Sequence, residues 1–317
     1  MRVLVTGGAG FIGSHVVDAL VGSGHDVTIV DDLSSGRRDN LNPRAHFEHV
    51  DICDAPALDR VFADVRPAVV THQAAQTSVS VSTREPARDA TVNVVGSIHV
   101  LESCVRHGVD RIVFASTGGA IYGEVEDPRR AAVGDATVPL SPYACSKLAI
   151  EHYLRMYARV HGLPVTVLRY ANVYGPRQDP HGEAGVVAIF SRRLLSGLTC
   201  RINARAQVGD AGCIRDYVFI DDVVRANLQA IDGSLGDGTI NVCTGVATTT
   251  RDIADGLTRA LQLEVALEHG PWRPGDLARS VLDDAPMRAR IGDPVELVEG
   301  LRLTAEWFRD HPEGSDT

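Results

Sequence analysis

Lysine is almost missing from this chain: of 31 Lys and Arg among 317 residues, only Lys147 is a lysine. Every other cation is an arginine, so the exception points to a site that needs a compact ammonium on a flexible stem, which a planar guanidinium cannot imitate. Long apolar runs are missing too. None approaches the ~18 residues of a membrane span, and Met1-Arg2-Val3-Leu4-Val5-Thr6 runs straight into glycines without the apolar core of a secretory signal. The six cysteines (Cys53, Cys104, Cys145, Cys200, Cys213, Cys243) include no C-x-x-C pair. That argues against a disulfide framework and a zinc site, and it fits a reducing cytoplasm. Nor is there a basic excess. The net charge is −10, whereas a protein that grips nucleic acid presents a basic face. The expectation is a cytoplasmic protein with no metal, no nucleic-acid partner and no membrane partner. Any phosphate ligand must then be met by backbone amides and a few local arginines.

What is present reads as an ordinary globular protein, 44% apolar and 23% charged. At roughly 150 residues per domain, the length suits two domains. Short β-branched runs at 3–6, 27–31, 46–51, 69–72, 112–116 and 165–170 alternate with helical periodicity at 11–23, 57–65, 85–107 and 143–161. Six strands with helical crossovers make a complete doubly wound dinucleotide-binding sheet. After Tyr170 the chain turns rich in Gly, Pro and Arg, with one helix near 185–196, strands at 217–220 and 239–242, and a closing helix at 297–309. The expected fold is α/β: a parallel-sheet Rossmann domain over residues 1–170, revisited at about 214–242, and a smaller C-terminal substrate-binding lobe within 171–317.

Gly7-Gly8-Ala9-Gly10-Phe11-Ile12-Gly13 follows the first strand and opens the first helix. Glycines at 7, 10 and 13 allow a tight turn that brings backbone amides against a pyrophosphate at the helix N-terminus. Asp31 ends the second strand, 18 residues after Gly13. A carboxylate there accepts the ribose hydroxyls and repels a 2′-phosphate, which favours NAD over NADP. Asp32 beside it is equally readable as a solvated loop residue.

Tyr143 and Lys147 lie four apart behind a plausible helix start, Ser141-Pro142, and so share one helix face. A free phenol titrates at about 10. An ammonium about 4 Å away, partly buried, contributes on the order of 4 kcal/mol, or about three pKa units, enough for a base near neutrality. A tyrosine–lysine pair alone is common as a surface contact. With seven tyrosines in 317 positions, a randomly placed lysine falls four residues after one about 2% of the time. Ser116 and Thr117 close the fifth strand on the ligand edge of the sheet, where a hydroxyl can meet a substrate oxygen.

The glycine turn resembles that of the extended short-chain dehydrogenase/reductases, as do Thr117-Gly118-Gly119-Ala120-Ile121-Tyr122-Gly123, Ser141-Pro142-Tyr143-x-x-x-Lys147 and Arg169-Tyr170-Ala171-Asn172-Val173-Tyr174-Gly175-Pro176-Arg177-Gln178. Within that superfamily the chain is similar to the bacterial UDP-glucose (UDP-galactose) 4-epimerases over nearly its whole length, through Gly182-Glu183-Ala184-Gly185-Val186-Val187, Arg215-Asp216-Tyr217 and Arg273-Pro274-Gly275-Asp276.

The resemblance implies a tightly held NAD that takes hydride from the sugar C4 and returns it to the other face. Tyr143 would move the 4-hydroxyl proton, Lys147 would hold the nicotinamide ribose and Thr117 would bind the reacting oxygen. The implied cofactor set joins Phe11, Ile12 and the glycines to Asp31, Asp32, Ser35 and Gly36. Asp51 and Ile52 would flank adenine. Gln73, Ala74, Ala75, Asn93, Ala115 and Tyr170 complete the cofactor set, with Asn93 toward the nicotinamide. Implied UDP-sugar contacts are Thr117, Gly118, Asn172, Gly185, Val186, Val187, Arg215, Arg273 and Asp276, while Ser280 gates the sugar C2 substituent. A homodimer packed through helices 85–107 and 143–161 is implied as well.

Departures from the family pattern are Gln73, Ala115, a long 198–207 stretch with Arg201 and Arg205, and Ala211-Gly212-Cys213. Related dehydratases and decarboxylases carry an acid just after the Ser/Thr, where Gly118 and Gly119 stand here. Uronate 4-epimerases place a cation near the carboxylate, often in an Arg-Pro-Asp segment, where this chain has Asp179-Pro180-His181-Gly182. A neutral hexose therefore fits better, with UDP-glucuronate as the alternative kept open by His181 and Arg192. A nucleotide-sensing relative without chemistry would not need the tyrosine–lysine pair, and Asp31 disfavours an NADPH-dependent reductase.

Overall fold

The computed structural model describes residues 1–180, 185–264, 266–273 and 275–312. His181, Gly182, Glu183, Ala184 and Pro274 of the motifs above lie outside the described residues. The first half runs β1 (Arg2–Thr6), α1 (Phe11–Gly22), β2 (Asp26–Asp31), β3 (His46–His49), α2 (Ala55–Val65), β4 (Val69–His72), α3 (Val79–Arg84), α4 (Pro86–Ala90), a π-helical stretch Thr91–Gly96, α5 (Ser97–Arg106), β5 (Arg111–Thr117), α6 (Gly118–Ile121), α7 (Pro142–His161) and β6 (Val165–Tyr170). It continues with β7 (Asn172–Tyr174), α8 (Val186–Leu195), β8 (Cys200–Asn203), β9 (Ile214–Arg215), β10 (Tyr217–Phe219), α9 (Ile220–Ile231) and β11 (Gly238–Val242). The last third holds β12 (Thr248–Thr249), α10 (Thr250–Leu261), β13 (Leu267–Gly270), β14 (Arg279–Ser280), α11 (Ala285–Arg290) and α12 (Leu297–Asp310).

Seven strands form one parallel sheet in the order β3-β2-β1-β4-β5-β6-β11. Such a sheet is covered on both faces, which is why its central strands are unbroken apolar runs. In β1, Val3, Leu4 and Val5 are all fully buried, shared between two apolar clusters on opposite faces. The direction of winding reverses between β1 and β4, and that crevice is where ligands bind in sheets of this kind. The glycine turn after β1 and the loop after β4 therefore face each other across it.

The expected strands and helices of the first half are present, with two differences. The 46–51 strand stops at His49. The 85–107 helix starts at Pro86, set off from α3 at Glu85, and widens to π geometry at Thr91–Gly96. Pro86 ends the helical pairing of α3 at the residue before it, and Asn93 lies buried within the wider turn. The 217–220 segment also differs from expectation: β10 leaves the main sheet and pairs with β7. Gly238–Val242 is the run that lies beside β6. On the other side of the crevice, β8 pairs with β13, and β9 lies between β12 and β14.

α7 begins as the sequence implies. The Ser141 side chain accepts from Ala144 N at 3.2 Å, Pro142 sits in the first turn, and Gly162 closes the helix at φ +69°. Tyr143, Lys147 and Glu151 form one stripe facing the sheet, since residues four apart share a face.

Candidate active site

The glycine turn is built for close approach. Gly7 stands at φ +71°, and a Cβ there would lie 2.5 Å from Ala74 N. A Cβ on Gly13 would lie 2.0 Å from Gly7 O, so only glycine lets the helix meet the turn. The first turn of α1 carries no acid and no side-chain cap, leaving its amides and positive dipole end available to an anion. Asp31 Oδ2 accepts from Ala9 N at 2.9 Å and Oδ1 from Leu33 N at 2.8 Å. Burial pushes the Asp31 carboxyl above its usual range, against the pull of those two donors. Each oxygen keeps a lone pair for a ribose hydroxyl. Gly36 packs so closely that a Cβ there would touch Asp31 Oδ1 at 2.7 Å. Asp32 and Ser35 are exposed, and the Asp32 carboxylate accepts from the backbone and hydroxyl of Ser34. Asp51 is exposed beside buried Ile52.

Lys147 is buried, 4% exposed. Its Nζ donates to Ala115 O at 2.9 Å, lies 4.9 Å from the Phe114 ring centroid and 6.0 Å from the Tyr143 ring centroid. The lone ammonium and the half-buried phenol thus stand on one face beside the end of β5. The two hydroxyls there part company. Ser116 is buried and donates to Glu151 Oε1 at 2.6 Å, whereas the Thr117 hydroxyl has no hydrogen bond among the described residues. Glu151 also takes Arg169 Nε at 2.9 Å and Nη2 at 2.6 Å, while Arg169 Nη1 reaches the Tyr122 hydroxyl at 2.7 Å. This buried pair joins α7, β5 and β6. Its signal in the sequence was an acid four residues past Lys147, which extends the stripe.

Gln73 donates to Thr71 Oγ1 and Asn227 Oδ1, both at 2.9 Å, and Asn227 donates to the Tyr170 hydroxyl at 2.8 Å. Burial raises the Tyr170 phenol to about 12, against its two hydrogen bonds, so it stays protonated. Asn93 clamps Gln76 at two points: it accepts from Gln76 N and donates to Gln76 O, each at 2.8 Å. His72, unnoticed in the sequence, lies behind this loop. Ala74 N donates to Thr6 Oγ1 at 3.2 Å, leaving the threonine proton for His72 Nδ1 at 2.6 Å. His72 Nε2 then donates to Ser97 Oγ at 2.9 Å, and Ser97 to Asn93 O at 2.6 Å. Burial first and the Lys147 charge second hold the His72 pKa down to about 3.

Across the crevice, Asn172, Gly118, Gly119 and Ser280 converge. A Cβ on Gly119 would lie 2.9 Å from Asn172 Oδ1, and buried Ser280 donates to Gly119 O at 3.3 Å. Arg215 is the β-sheet partner of Ser280 and donates to its neighbour's carbonyl, Ile214 O, at 2.9 Å. Arg273 forks onto Asp276 at 3.1 and 3.0 Å on an exposed loop. Gly185 and Val186 are half-buried and Val187 fully so at the start of α8, with Gln178 pressed against Gly185. The 198–207 stretch contains β8 and leads into a turn in which Asp210 takes backbone donors from Arg205, Ala206, Gln207 and Gly212. No group of three or more metal-ligating side chains occurs among the described residues.

Known proteins are similar to this chain in sequence and fold. Residues 3–243 match the NAD dependent epimerase/dehydratase family. A UDP-glucose 4-epimerase of Mycolicibacterium smegmatis is 46% identical, over 98% of this chain and 99% of that protein. The crystal structure of the Thermus thermophilus UDP-glucose 4-epimerase complexed with NAD superposes with a TM-score of 0.95 at 48% identity, covering 98% of this chain and 100% of that one. The Thermotoga maritima UDP-glucose 4-epimerase with UDP-glucose gives 0.91 at 47% identity, covering 98% and 99%.

Proposed function

The chain belongs to the NAD dependent epimerase/dehydratase family, and from that premise we infer that it is an NAD-dependent UDP-hexose 4-epimerase interconverting UDP-glucose and UDP-galactose. One observation carries the reading. In a chain 46% identical to such an epimerase over nearly its whole length, the only lysine is buried below Tyr143, at the strand end that presents Thr117. The glycine turn, the uncapped α1 and Asp31 fit NAD, and the carboxylate position disfavours a 2′-phosphate.

When bound, NAD supplies the hydride acceptor and donor through which C4 inverts. The chain supplies the rest. Tyr143 takes the 4-hydroxyl proton at its phenol oxygen and gives it back. The Lys147 ammonium favours the phenolate by its charge and is itself anchored by Ala115 O. Thr117, whose hydroxyl has no described partner, holds the reacting oxygen, while Ser116 is committed to Glu151. Arg215, Arg273 and Asn172 hold the UDP moiety, since arginine forks match phosphate oxygens. Division into a cofactor domain of residues 1–170 with 214–242 and a substrate lobe of the remainder is supported by β11 returning beside β6.

Ser280 is small and sits beside Gly119, which leaves space at the sugar and admits UDP-N-acetylhexosamines as well. Purified protein is incubated without added cofactor with UDP-glucose, UDP-N-acetylglucosamine or UDP-glucuronate, and the C4 epimers are resolved. The first two turn over; turnover of UDP-glucuronate alone would replace the hexose reading with the uronate one. Ser280→Tyr then removes the acetylated substrate and spares UDP-glucose. An unchanged ratio discards the gate.

The partner in solution is a second copy. Val95, Val105, Tyr153, Met156 and Val160 are 38–65% exposed on two adjoining helical segments, apolar side chains of the kind a four-helix seam covers. The cytoplasm is the proposed compartment, supported by six unbridged cysteines. No helix among the described residues is long and apolar enough to cross a membrane.

A further inference from the structure

We propose that Asp89 is a positioning residue that locks the loop after β4 to the helix bearing Tyr143 and Lys147. Its carboxylate is 1% exposed. Oδ1 accepts from Gln76 Nε2 at 2.9 Å and from Asn93 Nδ2 at 3.0 Å, and Oδ2 accepts from Ser146 Oγ at 2.6 Å. Its hydrogen-bond partners among the described residues are all neutral. A buried carboxylate without a cation is costly unless hydrogen bonds satisfy it, and here three donors from three separate segments converge on it. One is in the loop, one in the π-helical stretch and one in α7, next to Lys147.

The loop is pinned at Ala74 by Thr6 and at Gln76 by Asn93. Those ties run to β1 and to the helix that contains Asp89. The Asp89–Ser146 bond carries the connection on to α7. Asp89 and Asn93, four residues apart, share one helix face, and both reach Gln76. Gln76 itself is shaped to receive them: its amide also holds Ser78 O at 3.1 Å and Ser78 N at 2.7 Å, closing the loop on itself. Cofactor cradle and catalytic helix are thereby set at one spacing, which a nicotinamide lying between them requires. The proposal rests on reading residues 73–78 as part of the NAD cradle.

The test measures nucleotide released per chain on denaturation of the purified protein, the rate of NAD release, the thermal midpoint, and kcat with and without added NAD. Asn in place of Asp89 keeps the Oδ1 acceptor and turns an NH2 toward the Ser146 hydroxyl, which can accept. Asp89→Asn therefore retains NAD within twofold of wild type. Asp89→Ala retains at least tenfold less, and added NAD restores most of its turnover. Full retention in Asp89→Ala overturns the proposal, as does Asp89→Asn losing as much as Asp89→Ala. If the alanine variant does not fold, Ser146→Ala cuts the α7 tie alone and is expected to release NAD about threefold faster; an unchanged rate overturns the proposal. A wild-type chain carrying no nucleotide overturns the cofactor reading and this proposal with it. A wild type that carries NAD beside an alanine variant that keeps it overturns this proposal alone.

Discussion

The two sides of the crevice hold their polar groups in different ways. On the side proposed to hold the cofactor, side chains are tied to backbone: Asp31 to Ala9 and Leu33, Lys147 to Ala115, Asn93 to Gln76. On the side proposed to hold the substrate, Arg273 and Asp276 pair with each other near the surface, and Gln178 keeps a buried carbonyl oxygen with no partner among the described residues. Exposed ion pairs of that kind are worth little, about 0–1 kcal/mol, so they exchange partners at small cost. Fixed ties suit a cofactor that stays, and exchangeable pairs suit a substrate that leaves. An epimerase that regenerates its NAD in each cycle needs both.

The sharpest way to break this contrast is Lys147→Arg. A guanidinium keeps the charge but is planar and longer, and it cannot occupy the ammonium's place under Ala115 O. Turnover falls about 10³-fold, within the range of a lost acid–base partner, and circular dichroism shows a folded chain. An arginine variant with more than a tenth of wild-type kcat would mean that the lone lysine is incidental and the cofactor side less specific than its geometry suggests.

The same contrast decides what could be read from the chain alone. The alternation of strands and helices, the glycine turn, Asp31 and the Tyr143–Lys147 face follow from local rules of residue periodicity, glycine conformation and helix spacing. Asp89, His72 and Ser146 do not, because most of their partners lie 13 to 66 residues away. No periodicity marks such contacts. The π turn was hidden for a different reason: the apolar pattern of a helix continues through it. Ser116 and Thr117 look equivalent in sequence and separate only when Glu151 is seen to claim one of them. On the substrate side the strands are two to four residues long, too short for an alternation pattern to show.

A second test weakens the exchangeable side. Arg273→Ala removes a charged fork worth about 1.5–3 kcal/mol against an ionised partner. Part of that is already offset by the bond it gives up to Asp276. The net expectation is a KM for UDP-glucose raised roughly tenfold, with kcat and bound NAD within twofold of wild type. A fall in kcat with KM unchanged would place Arg273 in the transition state instead, and would erase the distinction between the two sides.

The smallest effect is a pH slope, and it tests whether the cofactor side is as rigid as its bonds imply. His72 is neutral in the fold, with a pKa of about 3 against 6.5 for the free side chain. Above 6.5 neither state takes a proton and the residue contributes no slope. Below it the unfolded chain binds a proton that the folded chain refuses, so stability falls as the pH drops toward 3, by about 1.4 kcal/mol per unit. Between pH 7.5 and 5.0 the loss from this one side chain is about 2 kcal/mol. Carboxylates add their own acid sensitivity, so the measurement is a difference: urea unfolding of wild type and His72→Gln at both pH values, with the variant losing about 2 kcal/mol less than wild type. Glutamine can still bond Thr6 and Ser97 but does not titrate. Equal losses in the two proteins would mean that His72 takes up its proton without unfolding, and so that water reaches the loop behind the cofactor. In that case the bonds from Thr6 through His72 to Asn93 would open and close in the native state, and the fixed side of the crevice would be fixed only on average.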